Sequence, residues 1–356
     1  VQTNARSLPP AKAGGWSVRA AVNVGKQREN VPPCGRPAMA ASGRMRTNQK
    51  RLLLCLLAAI ALGAIAGWPA GAGHSDTIVI ATWNLEWLVT PETAHAGRLA
   101  CRNGQRSALP CDVAQDLSRD SADIARLAAY ARELDADIVA FQEVENEAIA
   151  RKVFTGYRIC MADGAGVQHV GFAVRAHLLH RCGPALESLS MNGRSRKAMS
   201  MQLTPARGAP IEMLVVHLKS GCASDPLDSQ LAACRMLAQQ AGLLGDWIAM
   251  QSGRAASFIV LGDFNRASPE SGDDAFWQQV QTGPVELVAT ELPFRNCFAG
   301  QPWTRFIDHL LVSAPLLPRL VRGSPRHLGY RSADVVRYRL SDHCPVSISL
   351  NMAELT

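Results

Sequence analysis

"RYRLSDHCPVSISL" spans Arg337–Leu350, and its second half alternates: Val346, Ile348 and Leu350 fall on one side and serines on the other. A period of two residues predicts a strand with one face in a core. Pro345 stands at the start of that strand, where a missing N–H is tolerated. Directly ahead of it come Asp342 and His343. An acid beside a histidine at a strand end has a bland explanation, as ordinary loop polarity. Whether that explanation suffices depends on the other strand ends.

Working outward, the same arrangement recurs. "DTIVIATWNLEWL" predicts a strand over about residues 77–83 with Asn84 just beyond it. "ADIVAFQEVEN" predicts a short, fully apolar strand ending at Gln142 and Glu143. In "IEMLVVHLKSG" the apolar run closes on His217, "ASFIVLGDFN" carries Asp263 and Asn265 at its end, and "FIDHLLVS" carries Asp308 ahead of its run. Strands are also expected in "QHVGFAVR" and "KAMSMQL". Helices are expected over roughly 119–134, where Ile124, Leu127, Ala131 and Leu134 share a face, and over 231–250. Residues 91–116 read as a polar insertion holding Cys101 and Cys111. Short strands interrupted by a few helices indicate an α/β or α+β domain. One polar residue after an apolar run is noise; the same kind of residue after run upon run points to a common mouth at one end of a sheet.

Composition narrows the partners. The chain has 356 residues and a formal charge of +7, but residues 1–72 hold ten Lys/Arg and one acid, against 27 and 29 in the remainder. The body is therefore near −2, and whole-domain steering of an anionic ligand has no support. The leader itself reads as a targeting segment. A basic stretch, 45–51, precedes an apolar run of 15 residues from Leu52 to Ala66, followed by small residues. These are the three regions of a secretory signal over 45–72; the run falls short of the roughly 20 residues of a spanning helix, and an uncleaved membrane anchor is the alternative. Residues 1–44 read as a spurious or disordered extension. An extracytoplasmic body suits its eight cysteines, an even number. The close pairs Cys101/Cys111 and Cys222/Cys234 invite disulfides and leave Cys160/Cys182 and Cys297/Cys344, although spacing does not fix connectivity. No tight Cys-x-x-Cys knuckle favours zinc.

The strand-end residues have a shared chemistry. Glu143, placed straight after buried strand, is either a rim salt bridge or a ligand for a hard cation. Asp263 and Asn265, two apart, present an anion and an amide to one point if strand geometry persists. Oxygen ligands of this kind suit Mg2+, with Mn2+ or Ca2+ as alternatives. His217 is either a structural histidine or a partner for His343, far along the chain. An imidazole exchanges protons near neutrality and needs a carboxylate to fix its tautomer; Asp308 is the candidate, and His309, on the opposite face, is structural.

"TWNLEWL", "DIVAFQEVEN", "VVHLKSG", "VLGDFN", "FIDHLLVS" and "LSDHCPVSISL" together resemble, in order, the endonuclease/exonuclease/phosphatase superfamily, including its secreted deoxyribonuclease-like members. The resemblance covers residues 76–351. It implies a four-layer α/β sandwich with two central, mostly antiparallel sheets flanked by helices, and hydrolysis of phosphate esters with a divalent cation, usually Mg2+. It implies that Glu143 is the main metal ligand, with Asn84 and Asp342 beside it. It implies that Asp263 and Asn265 organise the phosphate and the attacking or leaving oxygen. Asp308 and His343 would prepare water, and His217 would contact phosphate or assist the leaving group. No covalent intermediate is required.

For substrate, "MNGRSRKAMSMQL" supplies Arg194, Arg196 and Lys197 ahead of a strand. A basic run is either a solvated face or a phosphate-backbone contact. Lys219 either faces phosphate or caps the His217 loop. No aromatic-rich apolar hairpin for engaging a membrane is visible, so a secreted nuclease leads. A lipid-headgroup (sphingomyelinase-like or phosphoinositide) or small-molecule phosphodiesterase or phosphatase is the runner-up, and a noncatalytic phosphate-binding scaffold the third reading. No obligate protein partner is expected.

Overall fold

A computed structural model describes residues 76–353, apart from 165, 255, 270–272, 282–283, 288–294 and 299–304. The expected leader elements, 1–44 and 45–72, lie outside the described residues. The strands are β1 Thr77–Leu88, β2 Ile138–Val144, β3 Tyr157–Met161, β4 His169–Arg175, β5 Leu179–Leu186, β6 Ala198–Thr204, β7 Ile211–His217, β8 Ser257–Asp263, β9 Val285–Leu287, β10 Asp308–Ser313, β11 Arg326–His327 and β12 Val346–Asn351. The helices are α1 Pro91–Arg102, α2 Cys111–Asp116, α3 Ser121–Leu134, α4 Glu147–Val153, α5 Ala232–Gly253, α6 Ala275–Val280 and α7 Ser332–Arg337.

Two six-stranded sheets form, in the orders β11-β12-β1-β2-β4-β3 and β5-β6-β7-β8-β10-β9. Each contains one parallel pair, β1/β2 and β7/β8, and is otherwise antiparallel. Alternation decides the layers. Ile78, Ile80, Ile138 and Ala140 from one sheet meet Met213, Val215, Ile259 and Leu261 from the other in a core between the sheets. The intervening residues Ala81, Trp83, Val139 and Phe141 turn outward onto Ile124 and Leu127 of α3 and Ile149 and Val153 of α4. Leu214, Val216, Phe258 and Val260 turn outward onto Leu237, Ala241, Leu244 and Ile248 of α5. Burying both faces explains why β2 and β8 read as unbroken apolar runs. The expected four-layer sandwich is the observed fold.

Local departures from the sequence reading have physical causes. The polar insertion at 91–116 is two helices instead, α1 capped by the Thr90 side chain and joined to α2 by the Cys101–Cys111 disulfide. Its small apolar cluster of Val89, Ala94, Leu109 and Ala114 gives too weak a period to stand out in sequence. The third helix starts at Ser121 because Asp120 and Asp123 form a capping box there. β5 is half-exposed at a sheet edge and carries Gly183 and Pro184, tolerable only at an edge or bulge. All four paired-cysteine sets fall together: Cys101–Cys111, Cys160–Cys182, Cys222–Cys234 and Cys297–Cys344.

Candidate active site

The two parallel pairs place four strand ends side by side. Asn84 lies in β1, paired with Gln142 of β2; His217 ends β7, paired with Asp263 at the end of β8. β10 runs antiparallel to β8 and starts with Asp308 opposite Asp263. β12 runs antiparallel to β1, so its approach brings Asp342 and His343 to the same end. All seven strand-end positions singled out in the sequence therefore share one mouth.

Irregular backbone aims several of these side chains. Register shifts interrupt β1/β2 between Asn84 and Leu88, and β2/β4 between Phe141 and Val144. Glu86, Trp87, Glu143 and Asn265 have φ of 44°, 49°, 61° and 50°, the left-handed region that non-glycine residues rarely adopt. At Gly262, φ is 142° and an added Cβ would lie 2.0 Å from the Val216 carbonyl oxygen. Only glycine permits β7 and β8 to approach so closely just before His217 and Asp263.

The hydrogen bonds tie the two sheets together. The Asn84 side-chain amide donates to Glu143 Oε1 at 3.2 Å and across the sandwich to Asp263 Oδ2 at 3.0 Å. Glu143 Oε2 accepts from the Trp87 backbone N–H at 3.0 Å and from the Gln168 amide. Asn265 departs from the strand reading. Its left-handed turn brings the amide back onto Asp263 Oδ2 (3.1 Å) and the Leu218 carbonyl, and its N–H donates to Asp263 Oδ1 (2.7 Å). It braces the aspartate instead of extending beside it.

His343 Nδ1 lies 2.6 Å from Asp308 Oδ2. Its Nε2 faces the cluster, 3.8 Å from Asp342 Oδ1 and 4.0 Å from Asp263 Oδ2. Burial alone would depress this imidazole, but the carboxylates of Asp308, Asp342 and Asp263 outweigh it and hold its pKa well above the ordinary histidine value. The backbone of His343 is pinned as well, its carbonyl accepting from Tyr330 Oη and, at 3.2 Å, from Trp83 Nε1.

His217 is the opposite case. Burial, then the neighbouring Arg196 cation, hold it well below its ordinary value, so the ring is neutral. Arg196 Nε donates to its Nδ1 at 3.1 Å. Its Nε2 lies 3.4 Å from Asp263 Oδ2 and 3.5 Å from Glu143 Oε1, and Arg196 Nη2 also lies within hydrogen-bond reach of it.

Sequence reading missed part of the site. Glu86, inside "TWNLEWL", accepts from the Asp342 N–H at 3.1 Å and pairs with buried Arg119 at 3.3 Å. Arg119 also donates to the Glu86, Arg339 and Leu340 carbonyls. An acid amid apolar residues at a strand end was the available signal for Glu86; for Arg119 and Gln168 the sequence offered none. Of the basic residues, Arg196 reaches the site and Lys219 lies close enough to repel it. Arg194 does not: it is exposed and turned onto the Met191 carbonyl. Lys197 is held between Asp163 and Glu187, at 3.3 and 2.6 Å, which removes it as a free phosphate contact. His309 is buried on the far face, donating to the Arg266 carbonyl at 2.8 Å, its pKa lowered by burial to about 4.

The acids test whether a cation fits. Burial pushes Asp263 up to about 7, and burial followed by the Asp342 charge pushes Glu86 up to about 8. Asp342 is raised too, chiefly by burial. Asp308 Oδ1 is buried without a hydrogen-bond partner among the described residues. More negative charge converges here than Arg119 and Arg196 offset, in oxygen-donor form, as a hard divalent cation requires. Asp263, Asp308 and His343 offer ligand atoms within 4.8 Å of one another, and Glu143 stands beside Asp263 through the shared Asn84 amide.

A cation-ready carboxylate cluster around an aspartate–histidine pair, at the strand ends of a two-sheet sandwich, defines a class of phosphoester hydrolase. The chain belongs to the Endonuclease/Exonuclease/phosphatase family, whose model matches residues 81–343. Members of this family are metal-dependent phosphoric ester hydrolases, commonly with Mg2+. Among solved structures, TDP2 from C. elegans is 13% identical with a TM-score of 0.52, covering 91% of this chain and 100% of that one. D. rerio TDP2 complexed with single strand DNA product is 20% identical with a TM-score of 0.51, covering 77% and 99%. At these identities the likeness bears on the fold alone. No curated protein matches the chain in sequence.

Proposed function

We propose that this protein is an extracytoplasmic, divalent-metal-dependent phosphodiesterase that hydrolyses nucleic acid by attack of water on phosphorus. The convergence of Glu143, Asp263, Asp342 and Glu86 beside the His343–Asp308 pair carries this reading. A bound divalent ion supplies positive charge to the phosphate oxygens and cancels the carboxylate field that keeps His343 protonated. Asp308 fixes Nδ1–H of His343, leaving Nε2 as the atom that takes a proton from water. His217, neutral because burial and Arg196 disfavour its charge, and the Arg196 guanidinium that spans both of its ring nitrogens form one polar wall for the phosphoryl group or leaving oxygen, with no stored proton on the imidazole. The Asn84 amide holds Glu143 and Asp263 at a fixed separation, so the site is organised before substrate arrives.

Nucleic acid is favoured over lipid because D. rerio TDP2, of the same fold, is complexed with single strand DNA product. Four disulfides favour an oxidising compartment. The test is turnover of DNA, RNA, sphingomyelin, inositol phosphates and bis-p-nitrophenyl phosphate with Mg2+, Mn2+ or EDTA. Turnover of nucleic acid that EDTA abolishes is expected. Turnover of lipid alone would reject the substrate assignment. Equal metal titrations of the wild type and Glu143→Gln would remove the ligand role of Glu143.

A further inference from the structure

A cavity of about 320 Å³ opens beside the reacting centre, between the loop that precedes β4 and the loop that precedes β6. It shares two residues with the site: Gln168, whose amide donates to Glu143, and Arg196, which lies on His217. A group joined to a phosphate held at Glu143 has this cavity as its neighbour. The volume matches the lower range of small-ligand sites, roughly 300–1,000 Å³.

The wall chemistry excludes most occupants. A second phosphate is disfavoured because both cations of the wall are engaged, Lys197 by Asp163 and Glu187 and Arg196 by the ring nitrogens of His217. Those carboxylates would repel another anion. A stacked nucleobase or a quaternary ammonium calls for a broad aromatic platform; no Phe, Tyr or Trp lines the cavity among the described residues, and its one ring, His169, is held edge-on by the Glu145 and Gly164 carbonyls at 2.8 and 3.2 Å. What the wall does offer is neutral hydrogen-bonding capacity. Asn192 has no hydrogen bond to its side chain among the described residues, and it is presented on a left-handed turn with φ 59°. Ser195 Oγ accepts from Gln240 at 3.1 Å and keeps its own proton to donate. Amides and hydroxyls that both donate and accept are complementary to a neutral polyol.

We propose, resting on the phosphodiesterase reading, that this cavity seats the ribose next to the scissile phosphate, with its hydroxyls bound by Asn192, Ser195 and Gln168. The enzyme then distinguishes RNA from DNA through the 2′-hydroxyl, the group that separates the two sugars.

DNA oligonucleotides carrying a single ribonucleotide at successive positions test this directly. With Mg2+ or Mn2+, the phosphate flanked by ribose should be cleaved about tenfold faster than the same phosphate in all-DNA, the effect of one matched hydrogen bond. Asn192→Gly suits the left-handed backbone and should reduce that ratio below threefold. A ratio near one in the wild type, or the same ratio in the variant, overturns the assignment. Fluorescence polarisation of the same oligonucleotides in EDTA provides an arm independent of turnover, and equal affinity for the ribo- and deoxy-forms there also overturns it. Displacement of the oligonucleotide by an inositol phosphate but not by AMP would reassign the cavity to a cyclic polyol and overturn it likewise. Failure to hydrolyse bis-p-nitrophenyl phosphate with every metal would sink the phosphodiesterase reading, and the binding arm would still decide the cavity.

Discussion

Stripping divalent metal with EDTA and raising the pH from about 7 to about 8.5 should lower the thermal stability of this protein. Glu86 and Asp263 titrate at about 8 and about 7 in the fold, against ordinary values of 4.5 and 3.8. At pH 7 the native state still holds the Glu86 proton and about half of the Asp263 proton, both of which the unfolded chain has released. Stability therefore falls as pH climbs through the folded values. His343, held above the ordinary 6.5, acts with the same sign, since its stabilising protonation is lost as pH passes its folded value. His217 and His309, both lowered, act oppositely, but their contribution is almost complete by pH 7. Integrated over this window, Glu86 and Asp263 alone account for about 1–2 kcal/mol. At 2–4 °C per kcal/mol for a chain of this size, that is roughly 5 °C in Tm. Differential scanning calorimetry should show this drop in EDTA and a much smaller one in saturating Mg2+, because a cation binding only the ionised acids stabilises the fold more at high pH. Glu86→Gln should remove the larger share of the drop. A metal-free protein as stable at pH 8.5 as at pH 7, or a metal-induced Tm shift no greater at the higher pH, would refute the charge-crowding argument.

Three further outcomes are expected. Asp308→Asn should lower kcat by about 10²–10⁴-fold with a normal melting curve, because the amide no longer fixes the His343 tautomer or supports its charge; kcat within threefold of wild type would remove the pair from the mechanism. Gly262→Ala should cost about 4 kcal/mol or more, since its Cβ meets the Val216 carbonyl at 2.0 Å with backbone on both sides. An unchanged Tm would show that β7 and β8 part easily. Peptide mapping without reductant should recover Cys297 linked to Cys344, and reduction should lower kcat several-fold because Cys344 adjoins His343; a free Cys344 would end that expectation.

Much of this site is legible in the sequence, and the reason is local. A strand's two-residue period and an apolar run's end are properties of adjacent residues, so Asn84, Glu143, His217, Asp263, Asp308 and His343 announce their positions in sequence. The fold class followed from the same runs, since β2 and β8 are buried on both faces and β12 on one. β5 was illegible because edge exposure and Gly183-Pro184 erase the period.

Contacts across the chain were decided only by tertiary structure. Glu86 reaches Asp342 over 256 residues and Arg119 over 33, from an irregular, left-handed stretch of β1. Three neighbouring basic residues, Arg194, Arg196 and Lys197, look equivalent in sequence yet meet the Met191 carbonyl, His217 and two carboxylates. Sequence determined which chemical groups stand at the strand ends. Register, bulges and left-handed turns determined which of them touch, because a side chain's partner depends on backbone direction at both ends of the contact and no local pattern carries that information.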